Sequence, residues 1–371
     1  MVEITKMKAE KQKAEKEAFF CTTKELSRLG LEQIPTQFQS HKHLIYSSPA
    51  TLAFNSPGAE GFGVKRAGLA VPDSIMLIVA PGCCGRNTSL ISSMKEYNDR
   101  FYYLMMDETD IVTGRHLKKI PKAVEEICSV CPKKPSVVMI CITCVDALLG
   151  TDMERVCKKA EEQVEIPVRP CYMYALTREG RKPPMVHVRQ SLYSLLEPGK
   201  KKGNVVNLLG FFSPLVDDCE IYDLLHSAGV KTIHEISRCK DYMEYQTMSE
   251  ANFNLVLHHE ARFAAEDFHN RLQIPFIELR RLYQIDKIEN QYHALGNALG
   301  VAFYDEKYKK QAEDALEKFR QKCPDASFAI GECLNADPFE LSLALIRYGF
   351  SVPEIYGTIT VENFTYIRSL A

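Results

Sequence analysis

Two stretches of sequence decide the fold: "LIVAPGCCGRNTSL" (Leu77–Leu90) and "VVMICITCVDALLGTD" (Val137–Asp152). Each begins as an apolar run and then reaches cysteine and glycine. An apolar run without polar alternation predicts a strand buried on both faces, as in the parallel sheets of α/β proteins. Cysteines placed directly after such strands predict thiols at the carboxyl edge of a sheet, where ligands of open parallel sheets bind.

The rest of the chain repeats this alternation of strand and helix. Segments with helical spacing of apolar residues, such as "TDMERVCKKAEEQV", lie between further apolar runs. The runs predict strands at residues 74–81, 136–143, 205–212, 253–259 and 327–333. We therefore predict an α/β protein with two to three Rossmann-like domains built on parallel sheets.

The length and the breaks in composition predict several domains. A chain of 371 residues is too long for one hydrophobic core. The basic, Gly- and Pro-containing "LEPGKKKGN" (residues 196–204) is the clearest boundary. We predict an N-terminal helical extension (1–50), a first α/β domain with the cysteines (51–200), a second α/β domain (201–284), and linking helices with a partial third domain (285–371). With only two strands, the third domain is expected to be short or truncated.

Charge and hydropathy exclude several classes of function. The net charge of -2 gives no argument for a nucleic-acid partner or an anionic membrane. No apolar run approaches the roughly 18 residues that span a bilayer. The Lys- and Glu-rich N-terminus lacks the apolar core of a secretion signal, so we predict a cytoplasmic protein. Because no G-x-x-x-x-G-K-[ST] loop is present, we expect no nucleotide bound by that route.

The thirteen cysteines indicate thiols that are reduced, buried or bound to metal. Thiolates hold iron–sulfur clusters, and glycines beside them allow the backbone to approach an inorganic group. Two alternatives remain open at this point. Each cysteine is also a common buried core residue. Cys128-x-x-Cys131 with Cys141-x-x-Cys144 resembles a zinc ribbon, although the spacing between the pairs is shorter than usual.

Five segments carry a resemblance to a known family. "CITCVDALLGTDMERV" resembles the "T-C-x-x-x-L-I-G-D-D-I" segment of the nitrogenase component 1 superfamily, and "APGCCG" resembles its "G-P-x-G-C-G" turn. "DETDIVTGRHLKKIPKAV", "ANFNLVLHHEARFAAEDFHNRLQIPFIE" and "ADPFELSLALIRYGF" resemble three more segments in the family's order. The resemblance implies α/β domains around a central cleft, in a homodimer or in a heterotetramer with a sister subunit. It also implies a separate ATP-dependent reductase of the iron-protein type that supplies low-potential electrons.

The resemblance implies an iron–sulfur cluster whose ligands include Cys84 and Cys144, which match the family's cysteines. A further family cysteine should fall near residues 55–58, where this chain has none. Cys83 or Cys141 is one replacement. A [4Fe–4S] cluster shared across a subunit interface, with two thiolates from each chain, also satisfies the ligand count.

Two more explanations for the missing cysteine remain open. The partner subunit supplies additional ligands, or an oxygen ligand such as Ser56 or Asp146 takes the place of the thiolate.

The second family site differs from that of the catalytic nitrogenase subunits. Those subunits anchor their large cofactor through a cysteine after "N-L-V-x", where this chain reads "NLVLHHEAR" with His258 and His259. Dinitrogen reduction is therefore not expected, and an organic or tetrapyrrole-like substrate fits better. From position, His258, His259 and Glu260 are candidate catalytic proton donors. Arg262 is a candidate for binding a substrate carboxylate.

The segment "RPCYMYALTREGRKPPMVHVRQ" supplies two further candidates. Arg178 and Arg181 are positioned to bind an anionic substrate, unless their charges are simply solvated. We thus predict a reductase component that passes electrons through its cluster to a hard-to-reduce substrate. The alternative is a non-catalytic scaffold or carrier for metallocluster assembly.

Overall fold

A computed structural model describes residues 20–39, 59–82, 97, 99–173, 182, 184–331 and 336–371 of the chain. The described strands form three parallel sheets, with strand orders β2-β1-β3-β4, β6-β5-β7-β8 and β10-β9. In chain order the strands are β1 (Ile75–Ala80), β2 (Phe101–Met105), β3 (Val138–Ile142), β4 (Val168–Tyr172), β5 (Lys202–Leu209), β6 (Thr232–His234), β7 (Ala251–Val256), β8 (Phe276–Glu278), β9 (Ser327–Ile330) and β10 (Ser351–Ile355).

Helices connect the strands, as parallel pairing requires. In the described residues they are α1 (Thr23–Leu29), α2 (Ala59–Ala67), α3 (Glu108–Thr113), α4 (His116–Val130), α5 (Cys144–Leu149), α6 (Met153–Val164), α7 (Pro184–Tyr193), α8 (Glu220–Ser227), α9 (Tyr242–Gln246), α10 (Arg262–Leu272), α11 (Ile285–Leu299), α12 (Glu306–Lys322), α13 (Pro338–Arg347) and α14 (Phe364–Leu370). None of them has the length and apolarity that crossing a membrane requires.

The first sheet is covered on both faces, which explains its continuous apolar runs. Every residue of β1 and β3 is buried. Because successive side chains alternate between faces, Ile78 and Met139 enter one core cluster and Leu77 and Ile140 enter another. Helix α4 packs on the side of Leu77, and α7 packs on the side of Met139. The predicted α/β fold with parallel sheets is confirmed.

The contacts divide the chain into two compact units. One comprises residues 41–281 and 285–314 and contains the first two sheets. The other comprises residues 1–40, 282–284 and 315–371. In this second unit Leu26 and Ile34 are buried in one cluster with Phe339, Phe364 and Ile367. The described part of the predicted N-terminal extension therefore packs with the last βα segment, because its apolar side chains complete that core.

Several strands differ from the sequence prediction. The four predicted runs of the first two sheets correspond to β1, β3, β5 and β7, which occupy the centres of these sheets. The outer strands were not predicted. β6 and β8 have only three residues each, and β4 contains an arginine and a proline in "VRPCY". The short length of β6 and β8 and the polar residues of β4 leave no continuous apolar run there, whereas β2 ("FYYLM") has such a run but is only partly buried.

Candidate functional site

The two strands that precede the cysteine-bearing segments lie side by side in the first sheet. β1 and β3 are neighbouring parallel strands in the register Val79–Ile142, so both end at the same edge of the sheet. Gly82 follows β1, and Cys144 is the first residue of α5 after β3. Cys83, Cys84 and the side chain of Cys144 lie outside the described part of the structure. The backbone therefore places the carboxyl ends of β1 and β3 next to each other, about 5 Å apart across the sheet.

Cys141 belongs to the core of the first sheet. Its side chain is completely buried, and it lies opposite Cys171 of β4 in the strand register. The same burial raises the pKa of the Cys171 thiol well above its usual value. A cluster ligand must be a thiolate that an inorganic group can approach. The packing of Cys141 favours a structural role, and it is left out of the ligand set proposed below.

The zinc-ribbon alternative does not fit the structure. Cys128 and Cys131 pack against the core cluster on one face of the first sheet, whereas Cys141 is part of the cluster on the opposite face. The thiols of the two pairs therefore cannot surround one ion. Among the described residues no group of three or more His, Cys, Asp or Glu side chains is placed to hold a metal.

Polar groups with unused hydrogen-bonding capacity lie beside Cys144. The Oδ1 atom of Asp146 is 2.9 Å from Nε2 of His116 and accepts from Thr151 Oγ1 at 3.0 Å. Asp146 Oδ2 and Thr143 Oγ1 are buried and have no hydrogen-bond partner in the described part of the chain. Unsatisfied buried oxygens are costly unless another group completes their bonding. This edge of the sheet is therefore chemically suited to an additional group such as an iron–sulfur cluster.

The carboxyl edge of the second sheet is organised by Arg189 of α7, which is 4% exposed. Its Nε and Nη2 atoms donate to the carbonyl of Gly210, after β5, at 3.2 and 2.7 Å. Its Nη1 donates to the carbonyl of Met185 at 2.8 Å and to Glu260 Oε2 at 2.7 Å. The guanidinium also lies over the ring of Phe212, 4.6 Å from its centre. One side chain thus joins the loops that follow β5 and β7.

His258 is a neutral side chain at this edge. Its ring stacks on His259, with 4.5 Å between ring centres, and contacts Phe211 edge-on at 5.6 Å. The backbone N–H of Glu260 donates to Nδ1 of His258 at 3.3 Å, so the ring carries its proton on Nε2. Burial, together with the positive charges of His259, Arg189 and Arg281, lowers the pKa of His258 to about 3. His258 therefore presents a hydrogen-bond donor rather than an acid.

Two charged candidates of this segment are paired within the chain. Nε and Nη2 of Arg262 donate to the two carboxylate oxygens of Glu278, each at 2.9 Å. This bidentate pair lowers the pKa of Glu278. Glu260 pairs with Arg189. His259 is exposed. The roles assigned to these residues stay predictions, and a substrate carboxylate would have to compete with Glu278 for Arg262.

The remaining candidates of this region divide into described and undescribed residues. Arg178 and Arg181 lie outside the described residues. His187 of α7 follows them in the sequence, and its ring contacts the ring of Tyr172 edge-on, with 4.4 Å between the ring centres. Burial and the charge of Lys182 lower the pKa of His187 to about 4. It is therefore a neutral side chain at physiological pH.

Comparison with known proteins decides the family. Residues 60–347 match the family model described as nitrogenase component 1 type oxidoreductase. The chain belongs to this family. The resemblance found in the sequence is thereby confirmed, and the cysteine turn after β3 and the histidine turn after β7 both lie inside the matched range.

Curated relatives of this nitrogenase component 1 type chain carry the name nitrogenase iron-molybdenum cofactor biosynthesis protein NifE. The relative from Nostoc sp. (strain PCC 7120 / SAG 25.82 / UTEX 2576) is 25% identical over 284 residues, which cover 73% of this chain and 58% of the relative. The relative from Clostridium pasteurianum is 24% identical over 256 residues, covering 67% and 54% respectively. The chain thus spans little more than half the length of these relatives.

A solved structure shares the fold of this family member. The structure titled "Nitrogenase Cp1 at pH 6.5" matches with a TM-score of 0.64 at 18% identity, covering 92% of this chain and 78% of that one. At this identity the likeness supports the fold alone.

The sequence did not predict three of the side chains that organise the carboxyl edges of the first two sheets. Arg189 contacts both strand-end loops, His116 pairs with Asp146, and Glu278 pairs with Arg262. A signal existed only for Arg189, which is a charged residue inside the largely buried helix "PMVHVRQSLY". A charge on a buried helix face must be paired, but the pattern does not say with which residue.

Proposed function

We propose that this chain is a cluster-binding subunit of the nitrogenase component 1 type, which holds a [4Fe–4S] cluster through Cys84 and Cys144. The observation that carries the proposal is the parallel pairing of β1 and β3, since both cysteine-bearing turns leave one edge of the sheet. The unsatisfied oxygens of Thr143 and Asp146 at this edge support it. A second protomer or a sister subunit would supply the remaining thiolates, with Cys83 as an additional ligand.

We further propose that the subunit carries or assembles a metallocluster for another protein. Delivering protons to a substrate requires an acid with an available proton. His258 is held neutral with its proton on Nε2, and Glu260 is engaged by Arg189. Arg262 is engaged by Glu278. A subunit that only binds and presents a metallocluster does not need any of these side chains to transfer a proton. The cofactor-biosynthesis names of the relatives point the same way.

A second candidate function is supported by the oxidoreductase description of the family. In it the subunit accepts electrons from an ATP-dependent reductase of the iron-protein type, and the bound cluster supplies low-potential one-electron chemistry. The substrate would be organic or tetrapyrrole-like. Arg262, Arg178 and Arg181 would bind its anionic groups, and the exposed His259 would be the group best placed to exchange protons with solvent.

Iron binding tests the cluster assignment. The protein is purified without oxygen, and iron and sulfide per chain are measured together with the electron spin resonance spectrum after dithionite reduction. We expect Cys84→Ser and Cys144→Ser each to lose most of the iron. Cys323→Ser removes an exposed thiol and serves as the matched control, which should keep its iron. Full iron content in both of the first two variants would defeat the assignment.

A transfer assay separates the two functions. For a carrier, iron moves from the loaded subunit to a cluster-free acceptor protein of the same family when ATP is absent. For a reductase component, the spin resonance signal of the subunit cycles only when an iron-protein-type reductase, MgATP and dithionite are added together. Cycling without transfer would favour the second candidate over the first.

A further inference from the structure

Glu260 lies between two groups that compete for its carboxylate. Its Oε2 atom is 2.7 Å from Nη1 of Arg189 and 3.7 Å from Nδ1 of His258. The carboxylate is 14% exposed and the Arg189 side chain 5% exposed. Hydrogen bonds to charged groups that are shielded from water are strong, so the arginine holds the carboxylate in its present place.

Arg189 is itself fixed by three separate segments. Its four hydrogen bonds end on the carbonyl of Met185 in its own helix, on the carbonyl of Gly210 after β5, and on Glu260 after β7. The backbone at Gly210 is packed closely against the turn that carries His258, because a Cβ atom at position 210 would lie 2.8 Å from the backbone nitrogen of His258. The turn that carries His258 is therefore held from two sides.

The charged groups that face His258 come from each of the elements around it. Arg189 belongs to α7, His259 and Glu260 belong to its own turn, and Arg281 follows β8. Phe211, after β5, contributes an apolar ring edge. The carboxylate of Glu260 is a negative group 3.7 Å from Nδ1 of His258, and Arg189 holds it.

We infer that Arg189 is a positioning residue that holds the carboxylate of Glu260 just outside hydrogen-bonding distance of His258, so that Nδ1 keeps accepting from the backbone N–H of Glu260 and Nε2–H stays a donor at the carboxyl edge of the second sheet. A neutral donor of this kind suits a ligand that accepts hydrogen bonds, such as a sulfide or a carboxylate group. It does not suit coordination of a metal through Nε2, because that atom carries the proton. This inference does not depend on the cluster or on either proposed function.

Removing Arg189 has a definite electrostatic consequence. Without its guanidinium, the carboxylate of Glu260 is free to move from its present 3.7 Å to hydrogen-bonding distance of Nδ1 of His258, and a closer opposite charge that is no longer neutralised by Arg189 favours the protonated imidazole. The loss of the arginine's own positive charge acts in the same direction. Neutralising Glu260 in the same variant separates the effect of the carboxylate on the pKa of His258 from the effect of losing the arginine's positive charge.

The test is an NMR titration of the histidine rings in ¹⁵N-histidine-labelled full-length protein, with the His258 signals assigned from a His258→Gln variant. In the unmodified protein we expect the Nε2–H tautomer and no titration of His258 between about pH 5 and pH 8. In Arg189→Met we expect His258 to titrate in this range, with a pKa raised by at least about two units. In Arg189→Met/Glu260→Gln most of that increase should disappear. Arg271→Met is the matched control, because Arg271 also donates to backbone carbonyls of the α7 region, those of Leu196 and Tyr193, but does not contact His258.

Four results would overturn the inference. These are an Nδ1–H tautomer in the unmodified protein, titration of its His258 near its ordinary value, no change in Arg189→Met, or an equal change in the double variant. If Arg189→Met does not fold, the NMR titration of His258 in the single variant Glu260→Gln tests the inference. The inference expects little effect on His258, whereas a carboxylate that already pairs with His258 would make its pKa fall when removed. Arg189→Lys, which keeps the charge but not the fork of donors, should give an effect between those of the unmodified protein and Arg189→Met.

Discussion

His116 and Asp146 form a buried hydrogen-bonded pair, with Nε2 of the ring 2.9 Å from Oδ1 of the carboxyl group and both side chains at most 1% exposed. The other ring nitrogen, Nδ1, lies 3.0 Å from the backbone carbonyl of Asp110, which can only accept a hydrogen bond. Both ring nitrogens of His116 are therefore engaged by buried polar groups. This pair fixes the first turn of α5, two residues after Cys144, against the start of α4.

Breaking this pair should destabilise the protein strongly. His116→Leu removes one of the two hydrogen-bond partners of the buried carboxyl group of Asp146 and leaves Thr151 as the other, which costs about 1–3 kcal/mol of the free energy of unfolding. Urea titration followed by circular dichroism measures the change. Lys133→Met is the control, since Lys133 pairs with Asp73 at the surface and such pairs contribute at most about 1 kcal/mol. Equal effects of the two substitutions would show that the buried hydrogen bond between His116 and Asp146 adds no more stability than a surface pair.

The neutral state of His258 predicts a loss of stability in acid. Its pKa of about 3 in the folded protein lies below the ordinary value near 6.5, so the unfolded chain binds more protons between these values. The stabilising contribution is complete above about pH 6.5 and falls as the pH decreases through that window. We expect it to lose about 1–2 kcal/mol between pH 7 and pH 5.

The measurement is the free energy of unfolding at both pH values for the unmodified protein and for His258→Gln. The substitution should reduce the pH dependence by this amount, because glutamine does not titrate. His293→Gln, at an exposed histidine, is the control and should leave the dependence unchanged. An unaltered slope in His258→Gln would mean that the pKa of His258 is not lowered in the folded protein.

Gly210 should not tolerate a side chain. Its φ angle is 144°, and a Cβ atom would lie 2.8 and 2.9 Å from the backbone nitrogen and Cβ of His258. Gly210→Ala should therefore cost more than the roughly 1–3 kcal/mol of backbone strain alone. Gly229 supplies the comparison, because its φ is 89° and a Cβ atom there would meet open space. Thermal unfolding of Gly210→Ala and Gly229→Ala should show the larger decrease in melting temperature for the former.

Glu340 should hold the short segment 282–284 in place. Its buried carboxylate accepts from the backbone nitrogens of Tyr283 and Gln284, at 3.0 and 3.1 Å, and from Nε2 of Gln284 at 3.1 Å. Glu340→Ala leaves these donors without an acceptor, and each unsatisfied donor costs about 1–3 kcal/mol.

Hydrogen exchange at the amides of this segment is the direct measurement. Exchange should accelerate at Tyr283 and Gln284 in Glu340→Ala and stay slow in Glu317→Ala, which removes an exposed glutamate from α12. Unchanged protection in Glu340→Ala would show that the segment is held by other contacts.

The central strands of the fold are predictable from sequence, whereas the polar contacts at the sheet edges are not. β1 and β3 are apolar throughout because both faces are covered, and this makes the parallel sheet and the shared edge of the two cysteine turns foreseeable. The partner of Glu260 lies 71 residues away, and that of Asp146 lies 30 residues away. No periodicity links such positions, because the pairing depends on how the loops pack. Cys141 looks like a ligand from its spacing and is a core residue through the alternation of its strand.

The hydrogen bonds of Arg189 also limit where the chain can be divided into fragments. Helix α7 follows β4 of the first sheet, yet the guanidinium on it finds its acceptors at Gly210 and Glu260, beyond the apparent boundary near residue 200. A fragment ending at that boundary would retain the cation and lose three of its four acceptor contacts. Chimeras that exchange the second sheet between family members would therefore have to transplant this arginine and its glutamate together.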